Sequence, residues 1–248
     1  KKVDYLVGDT NVLSSVAVNE LYKSKIPISN IQKIFSAGLL GLKTKRKLVP
    51  TRWSITAVDD SVSKELLNSI RYYKEIDEIM LFNSSYLGNH YEILILPGSF
   101  SFEIIEADLK TFVFLTHSKS KIFEDIKMNE VKFWQDYERF HGRKNYADEV
   151  TGGYYVARLA VSEYLDRIKR QGSVFVFREI NNDYYAHLGV GILRECCREA
   201  FNKIPEKFSS INEAFTKIQE RLNLNVGIFR EKSFLLKDYK VQKKIWDF

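Results

Sequence analysis

The sequence has few of the features that stabilise very small proteins or place proteins in membranes. It contains only two cysteines, and these are neighbours, Cys196 and Cys197. Adjacent cysteines can pair with each other only through a strained ring, so we expect a reduced, cytoplasmic protein. The longest apolar runs, such as 93–96 and 112–115, have the length of strands and are too short to cross a bilayer. We therefore expect no membrane contact.

Several terminal and metal-binding features are also missing. The chain starts at Lys1 without a starting methionine or a secretion signal, so we expect it to begin inside a longer protein. No internal repeat or low-complexity linker is found. Neither His117 nor His141 has ligand-like spacing to another histidine or to a cysteine. The sequence therefore predicts no zinc site within this chain.

What is present fits a folded protein with an anionic partner. Hydrophobic residues make up 45% of the 248 residues, and this is enough to bury one sizeable core or two smaller ones. The formal net charge is +6, from 38 basic and 32 acidic residues. This balance favours anionic partners such as nucleic acid but does not identify one. A basic surface without any role in nucleic-acid binding agrees equally well with the charge.

The hydrophobic patterns predict a mixed α/β fold in which helices surround an antiparallel meander. Gly88 and the Pro97-Gly98 pair lie between short apolar segments, as in the turns of a meander. We expect one body over residues 1–240, built as a single unit or as two tightly packed subdomains, and a tail over 241–248. The predicted strands are 53–58, 79–82, 91–96, 100–105, 112–115 and 173–177. The predicted helices are 12–25, 29–37, 61–73, 130–141, 152–171, 192–203 and 211–222.

Asp59 and Asp60 are the best candidates for catalysis. They follow the predicted strand 53–58, and open sheets present catalytic or metal-binding groups at such strand ends. Adjacent carboxylates also suit Mg²⁺. The alternative is that one of them caps the helix that follows. Glu103 and Glu106 are poor partners for a shared metal site, because strand alternation places them on opposite faces.

A basic segment surrounds Trp53. Arg46, Lys47 and Arg52 flank it as phosphate-binding cations flank a stacking aromatic ring, an arrangement that suits single-stranded or distorted DNA. The alternative is a solvated basic loop beside a buried tryptophan.

Three further arginines, Arg143, Arg158 and Arg178, lie on separate segments. They would form an anion pocket if the fold brought them together, although Glu179 is available to pair with one of them. The double glycine at 152–153 would add backbone donors at a helix start.

Three motifs together resemble the archaeal Nre family. The first is S-A-G-L-L-G at 36–41 with R-K-L-V-P-T-R-W-S-I-T-A-V-D-D at 46–60. The second is G-R-x-x-Y at 142–146 with G-G-Y-Y-V-A-R-L-A at 152–160, and the third is R-E-I at 178–180 before Leu188-Gly189. The resemblance covers nearly the whole chain and indicates the C-terminal part of such a protein, without the family's cysteine-containing, zinc-type motif. It implies a role in DNA-damage repair in archaea and a clamp-binding tail, and it implies no particular reaction.

The last residues of the sequence match the clamp-interacting pattern Gln-x-x-aliphatic-x-x-aromatic. Gln242, Ile245 and Phe248 occupy its positions, and Trp246 can add apolar area. A 3₁₀ turn places residues three apart on one side, so Ile245 and Phe248 can enter one apolar pocket together. The alternative is that the tail folds back on its own core. The pattern alone is not specific, because 171–177 also satisfies a relaxed form of it.

Two functions follow as hypotheses. The first is a DNA-repair factor that the sliding clamp PCNA recruits to DNA through the tail, with the Trp53 segment touching DNA. The second is a metal-dependent enzyme that acts on nucleic acid or a nucleotide-like ligand. In it, Asp59 and Asp60 would hold Mg²⁺, and Arg143, Arg158 or Arg178 would neutralise phosphate.

Overall fold

A computed structural model describes residues 1–109, 131–184 and 189–241. The helices are α1 (Lys2–Gly8), α2 (Ser14–Lys23), α3 (Ile28–Ser36), α4 (Thr51–Ile70), α5 (Gly152–Ile168), α6 (Val190–Ala200), α7 (Ile211–Gln219), α8 (Val226–Lys232) and α9 (Phe234–Val241). The strands are β1 (Lys74–Glu75), β2 (Ile79–Tyr86), β3 (Asn89–Leu96), β4 (Ser101–Asp108), β5 (Lys132–Glu138), β6 (Arg170–Gln171), β7 (Ser173–Ile180) and β8 (Glu206–Phe208). The predicted α/β class is confirmed. Within the described ranges, no helix has the length and apolarity needed to cross a membrane.

The main sheet has six strands in the order β5-β4-β7-β3-β2-β8. Among its described strands, the β4–β7 pair alone is parallel, and the other neighbours are antiparallel. Strand β7 therefore lies between β3 and β4, which a simple meander would pair with each other. All eight residues of β7 are buried. A strand covered on both faces occupies the centre of a sheet, and no local pattern in the sequence reveals which strands will flank it.

Helices cover both faces of this sheet. One face carries Ile93, Phe102 and Val176 and packs against α4, α5 and α6. The other face carries Leu94 and Phe177, together with their neighbours on the same face, and packs against α7, α8 and α9. The alternation of apolar residues between the two faces follows the two-residue period of a strand. A third core joins α1, α2 and α3 to the outer side of α4, so the molecule is built in layers.

The predicted strand over 53–58 is wrong, because these residues lie inside α4. Ser54, Val58 and Val62 are buried at four-residue spacing, as on one face of a helix. The β-branched residues that suggested a strand lower helix propensity only slightly, and tertiary packing overrides that preference. Asp59 and Asp60 consequently lie in the middle of a helix and point in different directions, and they are not at the end of a strand.

The predicted helix over 130–141 is also wrong, because it contains β5. Trp134 packs on the face of the sheet that meets α5, whereas Phe133 and Tyr137 pack on the opposite face. Aromatic residues suit a pleated, half-buried surface, which explains their density in this edge strand. The predicted strand 112–115 lies outside the described residues.

The other predicted elements are confirmed. The helix predicted over 61–73 begins ten residues earlier, at Thr51, and the ends of the remaining elements differ by a few residues. Ser210 caps α7, since its hydroxyl oxygen accepts the Glu213 amide at 3.3 Å. Glu103 and Glu106 do lie on opposite faces of β4. Glu103 accepts the Phe234 amide on the α9 side, and Glu106 bonds Arg178 on the α5 side.

Candidate functional site

Helices α4, α5 and α6 run side by side in the same direction. Asp60, in the middle of α4, contacts Arg158 of α5, and Tyr73, just after α4, contacts Asp166 near the end of α5. In the same way, Gly152 at the start of α5 faces Val190 at the start of α6, and Glu163 pairs with Arg198 further along both helices. The amino ends of the three helices therefore lie at one end of the molecule, which we call the helix-start end.

The carboxyl ends of the parallel strands β4 and β7 reach the same helix-start end. Glu106 and Arg178 stand near these strand ends. A Cβ atom added to Gly153, in the first turn of α5, would lie only 2.7 Å from Glu106 Oε1. Open α/β sheets bind ligands outside the carboxyl ends of their strands, and helix amino ends carry partial positive charge. The helix-start end is therefore the candidate site for an anionic ligand.

Arg158 is buried at the centre of this region and bonds two carboxylates. Its Nη1 lies 3.0 Å from Glu138 Oε2, and its Nη2 contacts Asp60 Oδ1. Burial alone lowers the pKa of Arg158, but the negative charges of Glu138 and Asp60 outweigh burial and raise this pKa. The guanidinium is therefore charged, and its charge is balanced by the protein itself.

Arg143 and Arg158 both pack on the ring of Tyr154. Each guanidinium carbon lies 5.4 Å from the Tyr154 ring centroid. Arg143 Nη1 is 2.9 Å from Asp136 Oδ1 and donates to the Tyr137 carbonyl at 2.9 Å. The fold thus brings together Asp60, Arg143 and Arg158, and it surrounds the two arginines with acceptors.

Arg178 lies closer to the sheet and is also neutralised. Its Nη1 donates to Glu106 Oε1 at 2.6 Å, and its Nε donates to Asn89 Oδ1 at 3.1 Å. The sequence suggested that the neighbouring Glu179 could pair with an arginine, but among the described residues it does not. Its carboxylate accepts the backbone amides of Asn223 at 2.9 Å and Leu224 at 2.8 Å, and so fixes the segment after α7.

Asp59 faces away from Asp60. Arg194 Nη1 lies 2.9 and 2.7 Å from its two oxygens, and the Gln32 amide donates to it at 2.9 Å. Burial raises the pKa of Asp59 to about 6, although the charge of Arg194 opposes that effect. Asp60 instead bonds Arg158 and the surface Lys64. The two aspartates therefore do not share a space in which one metal ion could bind both, and Asp59 links α3, α4 and α6.

The four candidates around Trp53 divide into one structural and three exposed residues. Arg46 is half-buried and donates to the carbonyls of residues 7, 9 and 41 at 2.6 to 2.8 Å. Lys47 and Arg52 are exposed, and within the described ranges neither side chain forms an ion pair. Trp53 is 54% exposed, and the Arg52 guanidinium lies 5.9 Å from its ring centroid. The expectation of an exposed tryptophan beside free cations therefore agrees with the structure, and the alternative of a buried Trp53 does not.

Tyr146 belongs to the same surface, and the sequence did not single it out as a binding residue. Its ring centroid lies 6.4 Å from that of Trp53 and 5.1 Å from that of Tyr155. Tyr146 is 46% exposed. Tyr146 is the last residue of the motif at 142–146, so the sequence did mark this position. Nothing in the local sequence showed that Tyr146 packs near the start of α4.

The remaining predictions concern metals and the tail. Within the described ranges, no group of three or more histidine, cysteine, aspartate or glutamate side chains is placed to hold a metal ion. Gln242, Ile245, Trp246 and Phe248 lie outside the described residues. The second match to the tail pattern, at 171–177, is part of the core. There Gln171 donates to the Tyr73 carbonyl at 2.6 Å and accepts the Phe100 amide at 3.0 Å.

Comparisons with family models and with curated proteins agree with each other. The model of the archaeal Nre N-terminal domain matches residues 1–114, and that of the archaeal Nre C-terminal domain matches 138–248. The chain thus matches both models and not the C-terminal one alone. No solved structure matches the chain.

Three curated relatives carry the name of a DNA-repair protein. DNA repair protein NreA of Archaeoglobus fulgidus is 39% identical over 83% of this chain and 49% of the relative. DNA repair protein NreB of the same organism is 36% identical over the whole chain and 60% of the relative. DNA repair protein NreA of Haloferax volcanii is 31% identical over the whole chain and 56% of the relative. The chain therefore spans between about half and three fifths of the length of these relatives.

Proposed function

Since this chain belongs to the archaeal Nre family, we propose that it is a DNA-repair factor which the sliding clamp PCNA recruits to DNA through residues 242–248. The names of the three relatives support the repair role. The observation that carries the recruitment step is the pattern formed by Gln242, Ile245 and Phe248. An extended segment that folds into a partner's pocket gains its affinity from a few apolar anchors at such spacing.

The packing of the body supports this choice of segment. Residues 171–177, which also satisfy a relaxed pattern, are held in the sheet and have no freedom to enter a partner. Helix α9, which precedes the tail, is anchored by the buried Leu235 and Leu236. A bound clamp would thus be tethered to a fixed point on the body, near the α7–α9 layer of the sheet.

The DNA itself is proposed to meet the helix-start end. Lys47, Arg52 and Trp53 are exposed there, and the parallel helices add partial positive charge. Arg46, Arg143, Arg158 and Arg178 each bond acceptors of the protein, so they contribute to the local field and to the shape of the surface. Phosphate contacts from exposed cations supply affinity that is independent of base sequence and weakens with salt.

The enzyme hypothesis loses the residue pair on which it was based. Asp59 and Asp60 point to different helices, and each carboxylate already bonds an arginine. A divalent ion would have to displace these arginines to bind both aspartates. We therefore propose DNA binding as the function of the described body and recruitment by the clamp as the function of residues 242–248.

The test is a pull-down with an archaeal PCNA. We expect that deletion of residues 242–248, or the double substitution Ile245→Ala with Phe248→Ala, abolishes clamp binding. The matched control is Lys243→Ala with Lys244→Ala, which changes the same tail at positions outside the pattern and should retain binding. An unchanged melting temperature would show that the body remains folded. Clamp binding by the truncated protein at the level of the full chain would refute the recruitment step.

A further inference from the structure

We infer that Trp53 and Tyr146 form a stacking platform for the unpaired bases of a DNA strand, with Arg52 and Lys47 holding its phosphates. The inference rests on the part of the proposed function that places DNA at the helix-start end. It goes further by naming the form of the DNA and by adding Tyr146, which lies 93 positions from Trp53 in the sequence.

The exposure of the two rings is the first argument. Large aromatic side chains are mostly buried in a protein of this size, yet Trp53 is 54% and Tyr146 46% exposed. Their centroids lie 6.4 Å apart with the ring planes tilted by 32°. Two exposed rings from distant segments therefore form one continuous aromatic surface, and burying it against a flat apolar ligand would be favourable.

The platform is held in place from below. Tyr155 is 5% exposed, and its ring centroid lies 5.1 Å from that of Tyr146. The Tyr155 hydroxyl oxygen accepts the Ala147 amide at 2.9 Å, next to Tyr146 in the chain. Trp53 itself lies in the first turn of α4, whose next residue, Ser54, is buried and donates to the Gln32 carbonyl at 2.6 Å. A surface that is ordered before binding loses little conformational entropy when a base stacks on it.

The distribution of free charge indicates the chemistry of the occupant. Buried or half-buried arginines near this end each bond a carboxylate or carbonyl, whereas Arg52 and Lys47 form no ion pair with any described residue. The Arg52 guanidinium carbon lies 5.9 Å from the Trp53 ring centroid, and Lys47 precedes Arg52 by five residues in the sequence. Unpaired cations near an exposed aromatic pair complement a ligand that has both flat rings and negative charge. A nucleic-acid strand has both, whereas an apolar protein surface would leave the cations without partners.

The geometry favours an unpaired strand over a duplex. In a duplex both faces of nearly every base are covered by neighbouring bases, so ring faces on a protein surface find only the edges and the backbone. An unpaired strand offers its base faces, and stacking on aromatic side chains is tolerant of base identity. DNA repair exposes such strands at gaps and displaced ends, and we therefore take single-stranded DNA as the occupant.

The test measures binding of fluorescently labelled oligonucleotides by anisotropy, with the full chain. An oligothymidylate and a duplex of the same length would be compared at low salt. We expect tighter binding of the single strand, and a loss of about 5- to 100-fold for Trp53→Ala and for Tyr146→Ala. Trp53→Phe should keep most of the affinity, since it preserves a ring. The matched control is Tyr72→Ala, because Tyr72 is 89% exposed just beyond the opposite end of α4.

Three results would overturn the platform. One is equal binding of duplex and single strand, and another is a loss for Trp53→Ala no larger than for Tyr72→Ala. The third is loss of binding in Arg52→Ala or Lys47→Ala without any loss in Trp53→Ala, which would indicate a phosphate-binding patch only. Clamp pull-down with Trp53→Ala separates this inference from the recruitment step. Retained clamp binding with no single-strand preference would refute the platform alone, and loss of both would point to a damaged body.

Discussion

Arg194 Nη1 lies within 2.9 Å of both carboxylate oxygens of Asp59, and both side chains are almost fully buried. The contact joins α6 to the middle of α4 across 135 positions of sequence. It connects the stretch that matches the N-terminal family model to the stretch that matches the C-terminal one. Removing one partner of a buried ion pair destabilises the folded protein, because the other partner is left as an uncompensated buried charge.

Replacing Arg194 is therefore expected to be strongly destabilising near neutral pH. Arg194→Met would leave Asp59 as a buried charge with only Gln32 to satisfy it, at a cost of about 3–5 kcal/mol. Urea unfolding at pH 7.5 measures this cost. The double variant Asp59→Asn with Arg194→Met removes both charges and should be more stable than the single one. A single variant as stable as the wild type would show that the pair does not form.

The cost of Arg194→Met should also depend on pH. Burial raises the pKa of Asp59 to about 6 in the folded protein, above the value of about 3.9 expected when unfolded. The folded state therefore binds the proton of the Asp59 carboxyl group more tightly than the unfolded state does. The stabilisation from this protonation is complete below about pH 3.9 and is lost as the pH rises through 6. Without Arg194 the folded pKa rises further. We expect the deficit of Arg194→Met relative to the wild type to shrink between pH 7.5 and pH 5.5. The double variant lacks the Asp59 carboxyl group, so its own unfolding free energy should lose this source of pH dependence.

Arg158 gives a second, independent prediction. Arg158→Met leaves Glu138 buried without a positive partner, so we expect a loss of about 3–5 kcal/mol in the free energy of unfolding. The control is Lys64→Met, which removes the other cation that bonds Asp60, at an exposed position. Exposed ion pairs contribute less than about 1 kcal/mol, and the control should unfold at nearly the wild-type urea concentration. Equal effects of the two substitutions would contradict a central role for Arg158.

Gly153 tests the close approach of α5 to the strand ends. A methyl group there would lie 2.7 Å from Glu106 Oε1 and 3.1 Å from Val150 Cγ1, and Glu106 is held by Arg178. We expect Gly153→Ala to lower the melting temperature, with a cost of about 1–3 kcal/mol from overpacking. Gly8→Ala is the control, since no atom lies within 4 Å of its added methyl group. A neutral Gly153→Ala would mean that α5 can move away from β4.

The two cysteines should be chemically inert in the folded protein. Both thiols are buried, and burial raises the pKa of Cys196 and, more strongly, that of Cys197. Alkylation requires the thiolate, so both should resist a thiol reagent at pH 8 and react fully in denaturant. Counting modified thiols by mass spectrometry measures this directly. Rapid labelling of the native protein would show that α6 opens away from the sheet.

Local pattern was enough to identify most elements but not their partners. The helical spacing of apolar residues in α5 and the run of valines and phenylalanines in β7 predicted these two elements correctly. The strand predicted at 53–58 and the helix predicted at 130–141 were wrong, because β-branched and aromatic residues occur in both kinds of element. Only the burial of Ser54 and Val58 against other helices, and the pairing of β5 with β4, decided these two cases.

The sequence by itself determined the family, through motifs long enough to be specific. It also contains the pattern of Gln242, Ile245 and Phe248 on which the recruitment proposal rests. It also identified Trp53 with its cations as a binding candidate. Only the tertiary structure decided that Arg158 and Arg178 are neutralised, that Asp59 and Asp60 separate, and that Tyr146 lies beside Trp53. The physical reason is that the pairing of a charge and the exposure of a side chain both depend on its neighbours in space. Residues almost a hundred positions apart become neighbours only when the helices and strands pack together.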